Sequence, residues 1–139
     1  MIGQLTFEHK QHTYELSFDS KLNAITGDSA TGKSAIVNIL SHKRYANLKC
    51  TYKLLIVTEV EMLEAVTDGT MLLIDTDAIT HDVITGLKRF KDLDVCIVLL
   101  GRRYLSNVPL PEDSVYCLNT SNNVTKNVKY DFSEDKEEK

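Results

Sequence analysis

The sequence is poor in the residues that mark specialised protein classes. It has no tryptophan, two prolines and three cysteines. An odd number of cysteines without C-x-x-C spacing argues against a disulfide framework or a zinc site. No apolar run approaches the roughly 20 residues of a membrane helix, and the first residues, MIGQLTFEHK, contain no long apolar signal core. These absences predict a cytoplasmic protein that does not span a membrane.

The overall composition is that of an ordinary globular protein. Of the 139 residues, 42% are hydrophobic and 26% are charged. A chain of this length buries roughly two-thirds of the surface that it exposes when unfolded. We therefore expect a single domain over residues 1–132. The stretch SEDKEEK, residues 133–139, has no apolar anchor and is predicted to be a disordered tail.

The charge of the chain is slightly acidic. A formal net charge of −4 provides no overall attraction to nucleic acid. The compact basic clusters, His42-Lys43-Arg44 and Arg102-Arg103, are short enough to be solvated surface charge. Nucleic-acid binding is therefore not supported, although a local patch on an acidic protein would still permit it.

Five stretches rich in apolar and β-branched residues recur along the chain and predict buried parallel strands. They are Leu22 to Thr26, Lys53 to Thr58, Met71 to Asp75, Val95 to Leu100 and Val115 to Leu118. Alternating segments around Lys10-Gln11-His12 predict an antiparallel hairpin ahead of them. After them, Val124 to Phe132 is predicted as an edge strand.

Helical spacing of apolar residues lies between the predicted strands. Ile36, Val37 and Leu40 share one face of a helix that we expect from Lys33 to about Leu48. A second crossover helix is predicted around Val83, Ile84, Leu87 and Phe90. A shorter helix is expected from Val60 to Val66, where Asp68-Gly69 ends it.

The most informative stretch is GDSATGKS, Gly27 to Ser34, which fits the pattern G-x-x-x-x-G-K-[ST]. In this pattern, backbone N–H groups and a helix N-terminus surround phosphate oxygens, and glycine permits their close approach. Lys33 would contact the β- and γ-phosphates, and the Ser34 hydroxyl would bind Mg²⁺. The predicted nucleotide-binding residues are Gly27, Asp28, Ser29, Ala30, Thr31, Gly32, Lys33, Ser34 and Ala35.

A second motif, MLLIDTD, Met71 to Asp77, is an apolar strand that ends in a carboxylate. Beside the first motif, Asp75 is predicted to contact Mg²⁺ opposite Ser34.

The two motifs resemble the Walker A and Walker B motifs of P-loop NTPases. The strand KLLIVTE lies between them in sequence, as in the division that inserts one strand between the two Walker strands. The hairpin before the loop looks most like the beginning of ABC and SMC ATPases. The resemblance implies an α/β fold, a three-layer P-loop NTPase core with a mainly parallel five-stranded sheet, to which the hairpin and a C-terminal edge strand are added. It also implies ATP and Mg²⁺ as ligands.

The sequence departs from the ABC and SMC pattern at two points. Thr76 stands where those ATPases have a water-polarising glutamate, and no LSGGQ-like signature is present. Two other carboxylates are candidates for activating water: Glu59, at the end of KLLIVTE, and Asp77. Both could instead have no part in catalysis. In that interpretation, Glu59 lies at the start of the next helix, where its negative charge complements the helix dipole. Lys33 completes the predicted catalytic set.

The sequence gives weaker evidence on which base is bound than on the phosphates. Tyr14, in the hairpin, is similar in position to the aromatic residue that stacks on adenine in ABC-type proteins, or it packs across the hairpin. The segment LNTSNNVTK lacks the spacing of the guanine-reading N-K-x-D motif. ATP is therefore favoured over GTP.

These observations lead to three hypotheses. The first is an ATP-binding protein with slow Mg²⁺-dependent hydrolysis that acts with a protein partner or by self-association. The second is a non-catalytic ATP sensor, which the missing glutamate favours. The third is a small-molecule or nucleotide kinase, which would gain support if the two Walker strands were direct neighbours in the sheet.

Overall fold

The computed structural model describes residues 3–26, 32–76, 87, 90–101 and 112–130. The α-helix within these residues, α1, spans Lys33–Ser41, and short 3-10 helices span Val60–Ala65 and Glu112–Ser114. The strands are β1 (Gly3–His9), β2 (His12–Phe18), β3 (Leu22–Ile25), β4 (Ala46–Cys50), β5 (Lys53–Val57), β6 (Thr70–Asp75), β7 (Val95–Leu100), β8 (Val115–Ser121) and β9 (Val124–Lys129).

All nine strands belong to one mixed sheet with the order β4-β1-β2-β9-β8-β3-β7-β6-β5. The five predicted strands are present as β3, β5, β6, β7 and β8, and each neighbouring pair among them is parallel. Their continuous apolar sequences fit burial on both faces; every residue of β7, for example, is buried.

The predicted fold class is nevertheless wrong. The described structure is not a three-layer P-loop NTPase core built on a mainly parallel five-stranded sheet, since it is a nine-stranded mixed sheet with one α-helix in the described part of the chain. Strand β9 is the physical reason. It pairs antiparallel with β8 and parallel with β2, and so joins the hairpin and the parallel strands into one sheet.

The position of β9 also corrects the prediction of a C-terminal edge strand from Val124 to Phe132. The strand lies inside the sheet and ends at Lys129. The N-terminal hairpin is confirmed, because β1 and β2 are antiparallel over their whole length. Its turn residues, Lys10 and Gln11, have φ values of 48° and 65°. Positive φ at both positions is required in a two-residue turn that matches the right-handed twist of the strands.

The sheet curls strongly because its two edge strands are consecutive in the chain. Only Thr51 and Tyr52 connect β4 at one edge with β5 at the other. At this corner the Cys50 sulfur lies 3.8 Å from the sulfur of Met71 on β6. The hairpin is thereby brought opposite the parallel strands, and α1 packs between them.

Two apolar clusters fill the interior. The first contains Ile36, Ile39 and Leu40 of α1 together with residues of β1, β2, β6 and β7. The second lies on the other face of the parallel strands, where Leu63 and Phe90 pack against β3, β6 and β7. The sheet is therefore covered on both faces over its parallel half.

Helix α1 is shorter than predicted, since it ends at Ser41 and not near Leu48. Lys43 adopts the left-handed conformation with φ 53°. The N–H of Arg44 donates to the Ile39 carbonyl and that of Lys43 to the Leu40 carbonyl, which is the hydrogen-bond pattern of a Schellman cap. The usual signal for this cap is glycine, and its absence here explains the error. Leu48 lies in β4.

The two other predicted helices differ in outcome. The segment Val60–Ala65 is helical, of the 3-10 type, and Gly69 after it has a positive φ of 83°. Of the crossover helix predicted around Val83, Ile84, Leu87 and Phe90, only Leu87 and Phe90 belong to the described residues. Leu87 is α-helical, Phe90 is in a 3-10 conformation, and both pack in the second cluster. Residues 131–139, including the predicted tail, lie outside the description.

Candidate functional site

The amino end of α1 carries the described part of the first motif. Gly32 precedes the helix with φ 98°, a conformation that favours glycine. Lys33 begins the helix, and only 4% of its surface is exposed, whereas Ser34 and Ala35 are exposed. The first turn itself contains no acidic residue, so the helix does not neutralise the positive end of its own dipole. This end of the helix is suited to a negatively charged ligand.

The carboxyl ends of three parallel strands face the same helix. Asp75 is the last residue of β6 and is in register with Leu100, the last residue of β7. Thr58 directly follows β5. Since parallel strands end at one edge of a sheet, these residues come together with α1.

Between α1 and these strand ends lies a cavity of about 380 Å³, hereafter the α1 cavity. This volume is within the range of roughly 300–1,000 Å³ that is usual for small-molecule sites. Its described lining residues are Lys33, Ser34, Val37, Asn38, Ser41, His42, Thr58, Asp75 and Leu100. The structure therefore brings Lys33, Ser34 and Asp75, which were predicted from two separate motifs, to one cavity.

The order of the strands bears on the kinase hypothesis. One strand, β7, separates β3, which leads into the first motif, from β6, which carries the second. Direct adjacency of β3 and β6 was the arrangement that would have raised the kinase hypothesis. That support is absent.

Thr76 has a structural role that explains its burial. Its side chain is 7% exposed. Both its backbone N–H and its hydroxyl donate to the Leu100 carbonyl, each over 2.8 Å. Thr76 therefore ties the end of β6 to the end of β7.

Of the two carboxylates proposed to activate water, one is described. Glu59 is exposed, has an extended backbone and immediately precedes the 3-10 helix Val60–Ala65. It is not among the described lining residues of the α1 cavity, although its neighbour Thr58 is. Asp77 lies outside the described residues.

Tyr14 is not among the described lining residues of this cavity and belongs to the first apolar cluster. It is paired across the hairpin with Phe7, and the two rings stack with centroids 4.7 Å apart. The His12 ring also lies 4.7 Å from the Tyr14 ring. Burial raises the pKa of the Tyr14 hydroxyl. The described position of Tyr14 corresponds to the alternative interpretation, packing across the hairpin.

Several predicted residues fall outside the described structure. They are Gly27, Asp28, Ser29, Ala30 and Thr31 of the first motif, Asp77, and the pair Arg102 and Arg103.

The far end of the α1 cavity was not predicted from the sequence. Asn38, Ser41 and His42 line it, and the imidazole Nδ1 of His42 donates to the Asn38 carbonyl over 3.0 Å. A carbonyl oxygen can only accept, so Nδ1 carries the proton in this hydrogen bond. The helical spacing of Ser34, Asn38 and Ser41 was the signal that could have identified this polar face.

Metal binding by protein groups alone is not indicated in the described part of the chain, where no three His, Cys, Asp or Glu side chains are grouped to hold an ion. A Mg²⁺ ion at Ser34 and Asp75 would therefore depend on phosphate and water oxygens for its remaining ligands, which is usual for this ion.

No protein-family model and no curated protein matches the chain. Within the described residues, no helix has the length and apolar character needed to cross a membrane.

Proposed function

We propose that the chain binds ATP with Mg²⁺ in the α1 cavity and hydrolyses it slowly, acting with a protein partner or by self-association. The observation that supports this function best is the convergence of Lys33, Ser34 and Asp75 on one cavity at the amino end of α1. These are the three side chains that the two sequence motifs assign to phosphate and Mg²⁺.

Each of the three side chains has a distinct task in this proposal. The Lys33 ammonium neutralises charge on the β- and γ-phosphates, and the amino end of α1 adds its dipole. The Ser34 hydroxyl and the Asp75 carboxylate orient Mg²⁺, Asp75 through a water molecule. ATP is preferred over GTP because the chain lacks a guanine-reading motif.

Slow hydrolysis follows from the groups that would activate water. Thr76 is neither basic nor available, since its hydroxyl donates to the Leu100 carbonyl. Glu59 is exposed beside the cavity. Phosphoryl transfer depends on positioning and on charge stabilisation, so an incomplete set of groups predicts a low basal rate.

Thermal unfolding with and without ATP and Mg²⁺ tests the binding proposal. At about 100 times its dissociation constant, a ligand stabilises the folded state by roughly 2.7 kcal/mol. For 139 residues this corresponds to a rise in Tm of about 9 °C. Lys33→Ala should abolish the rise. Lys43→Ala, which removes an exposed positive charge beyond the other end of α1, should preserve it.

The proposal is wrong if folded Lys33→Ala protein binds ATP with unchanged affinity. Omission of Mg²⁺ and Asp75→Asn should each weaken the thermal shift, because both remove the metal that links the phosphates to the strand end. An unchanged shift in both experiments would contradict the assignment of Asp75.

A non-catalytic ATP sensor is the second candidate, and the hydrogen bond of Thr76 to Leu100 is the observation that favours it. Phosphate release by the wild-type protein and by Glu59→Gln separates the two candidates. A slow release that Glu59→Gln lowers supports hydrolysis. ATP-dependent stabilisation without any phosphate release supports the sensor.

A further inference from the structure

The two edges of the sheet differ in how they are protected against pairing with another strand. At the β4 edge, Asn47 has φ 54°, and the register with β1 shifts between Thr6 and Glu8. Lys49 is also exposed in this short strand. Irregular backbone and lysine are both common means of preventing edge-to-edge association.

The β5 edge has little of this protection. Its five residues pair with β6 without interruption. Leu54, Leu55 and Ile56 are only partly buried, and Lys53, its first residue, is the single charged residue of the strand. Strand β4 is not paired with β5, although only Thr51 and Tyr52 separate the two strands in the chain. The edge of β5 is therefore a regular, apolar strand.

The hydrogen bonds of β5 define which of its backbone groups face outward. The Lys53 N–H donates to the Gly69 carbonyl over 2.8 Å, towards β6. Since this direction alternates along a strand, the N–H and C=O groups of Leu54 and Ile56 point away from β6. No hydrogen bond of the described structure uses them. They require water or another strand as a partner.

We propose that two copies of the chain associate through β5, antiparallel about a two-fold axis at Leu55, and so form one continuous sheet. In this register, Leu54 of each copy lies opposite Ile56 of the second copy. Each such pair exchanges two backbone hydrogen bonds. The outward-facing N–H and C=O groups of Leu54 and Ile56 thereby all have hydrogen-bond partners. Leu55 lies opposite Leu55 of the second copy. These two residues form a closely spaced pair, without hydrogen bonds to each other, between the two hydrogen-bonded pairs.

The charges at the ends of β5 fit the same register. Lys53 of one copy lies opposite Val57 of the second copy, and Glu59 of that copy follows two residues later, after the bend at Thr58, within reach of long side chains. Glu59 has an extended backbone, with φ −138° and ψ 142°, and both side chains are exposed. Because of the two-fold symmetry, this contact between opposite charges occurs twice in the dimer. No two like charges lie opposite each other within the paired β5 strands.

The interface also lies next to the α1 cavity, because Thr58 lines that cavity and directly follows β5. Association would bring the two cavities to either side of the two-fold axis. The inference itself rests on the sheet edge and does not depend on nucleotide binding.

Analytical ultracentrifugation over a range of protein concentrations tests the proposal, with nucleotide absent. The wild-type chain should form a dimer of twice the monomer mass. Lys53→Glu and Glu59→Lys should each weaken dimerisation at least about tenfold, because each creates a like-charge contact. The double variant should restore it, because the charges are exchanged. Lys49→Glu, the matched reversal on β4, should dimerise like the wild type.

Amide hydrogen exchange gives a second measurement. The amides of Leu54 and Ile56 should become protected as protein concentration rises, and Lys53→Glu should remove this protection. A chain that is monomeric up to about 0.5 mM overturns the proposal. A dimer that Lys53→Glu does not weaken, or that the double variant does not restore, overturns it equally.

Discussion

Replacement of Thr76 by valine tests whether this residue acts only as a structural link between β6 and β7. Valine has a similar shape but removes the hydroxyl that donates to the Leu100 carbonyl over 2.8 Å. The Thr76 N–H still donates to the same oxygen, so the carbonyl keeps one partner. The loss should be about 1 kcal/mol, within the usual range for one hydrogen bond.

For a chain of 139 residues, this loss lowers Tm by about 3 °C. Differential scanning calorimetry measures this change, and Thr76→Ser, which retains the hydroxyl, serves as the control. Phosphate release should change less than about twofold, because the hydroxyl already donates to a backbone carbonyl. A tenfold fall in phosphate release with an unchanged Tm would refute the structural role and assign Thr76 to the reaction.

Two further predictions concern stability. Lys43→Gly should stabilise the protein by about 0.5–1 kcal/mol in urea unfolding, because glycine adopts the left-handed φ of 53° without strain; a loss of stability would contradict the cap at the end of α1. Burial raises the pKa of the Cys96 thiol to about 12, with a smaller contribution from Cys50, against 9.0 in the unfolded chain. The folded state therefore retains the thiol proton more strongly, and this contribution to stability is complete below pH 9 and lost between pH 9 and about 12. Compared with Cys96→Ala, the wild type should lose stability more steeply above pH 9, and parallel urea-unfolding curves would contradict the prediction.

The parallel strands were predictable because their signal is local. A run such as VCIVLL, Val95–Leu100, is apolar without alternation, and this pattern fits burial on both faces. The hairpin was predictable for the opposite reason, since strict alternation indicates a strand with one face buried. The end of α1 was not predictable, because Lys43 adopts a conformation for which glycine is the usual signal.

The candidate site was predictable only in part. Lys33 and Ser34 were identified because they belong to a motif of defined spacing, and Asp75 because it ends an apolar strand in the same chain. The far end of the cavity belongs to no motif: Asn38, Ser41 and His42 are ordinary polar residues of a helix face. They became candidates only when the structure set α1 against the strand ends.

By itself, the sequence determined the strand segments other than β4, the hairpin and the start of α1. It also supplied the motifs on which the proposed contacts to phosphate and Mg²⁺ depend. These depend on periodicity and spacing within a few residues. Only the tertiary structure decided that β9 joins β2 to β8, that the edges meet at Thr51 and Tyr52, and that β5 is left as a regular edge. Such pairings depend on contacts between strands distant in the chain, and backbone hydrogen bonds, which are alike in every strand, leave no local pattern that specifies the partner.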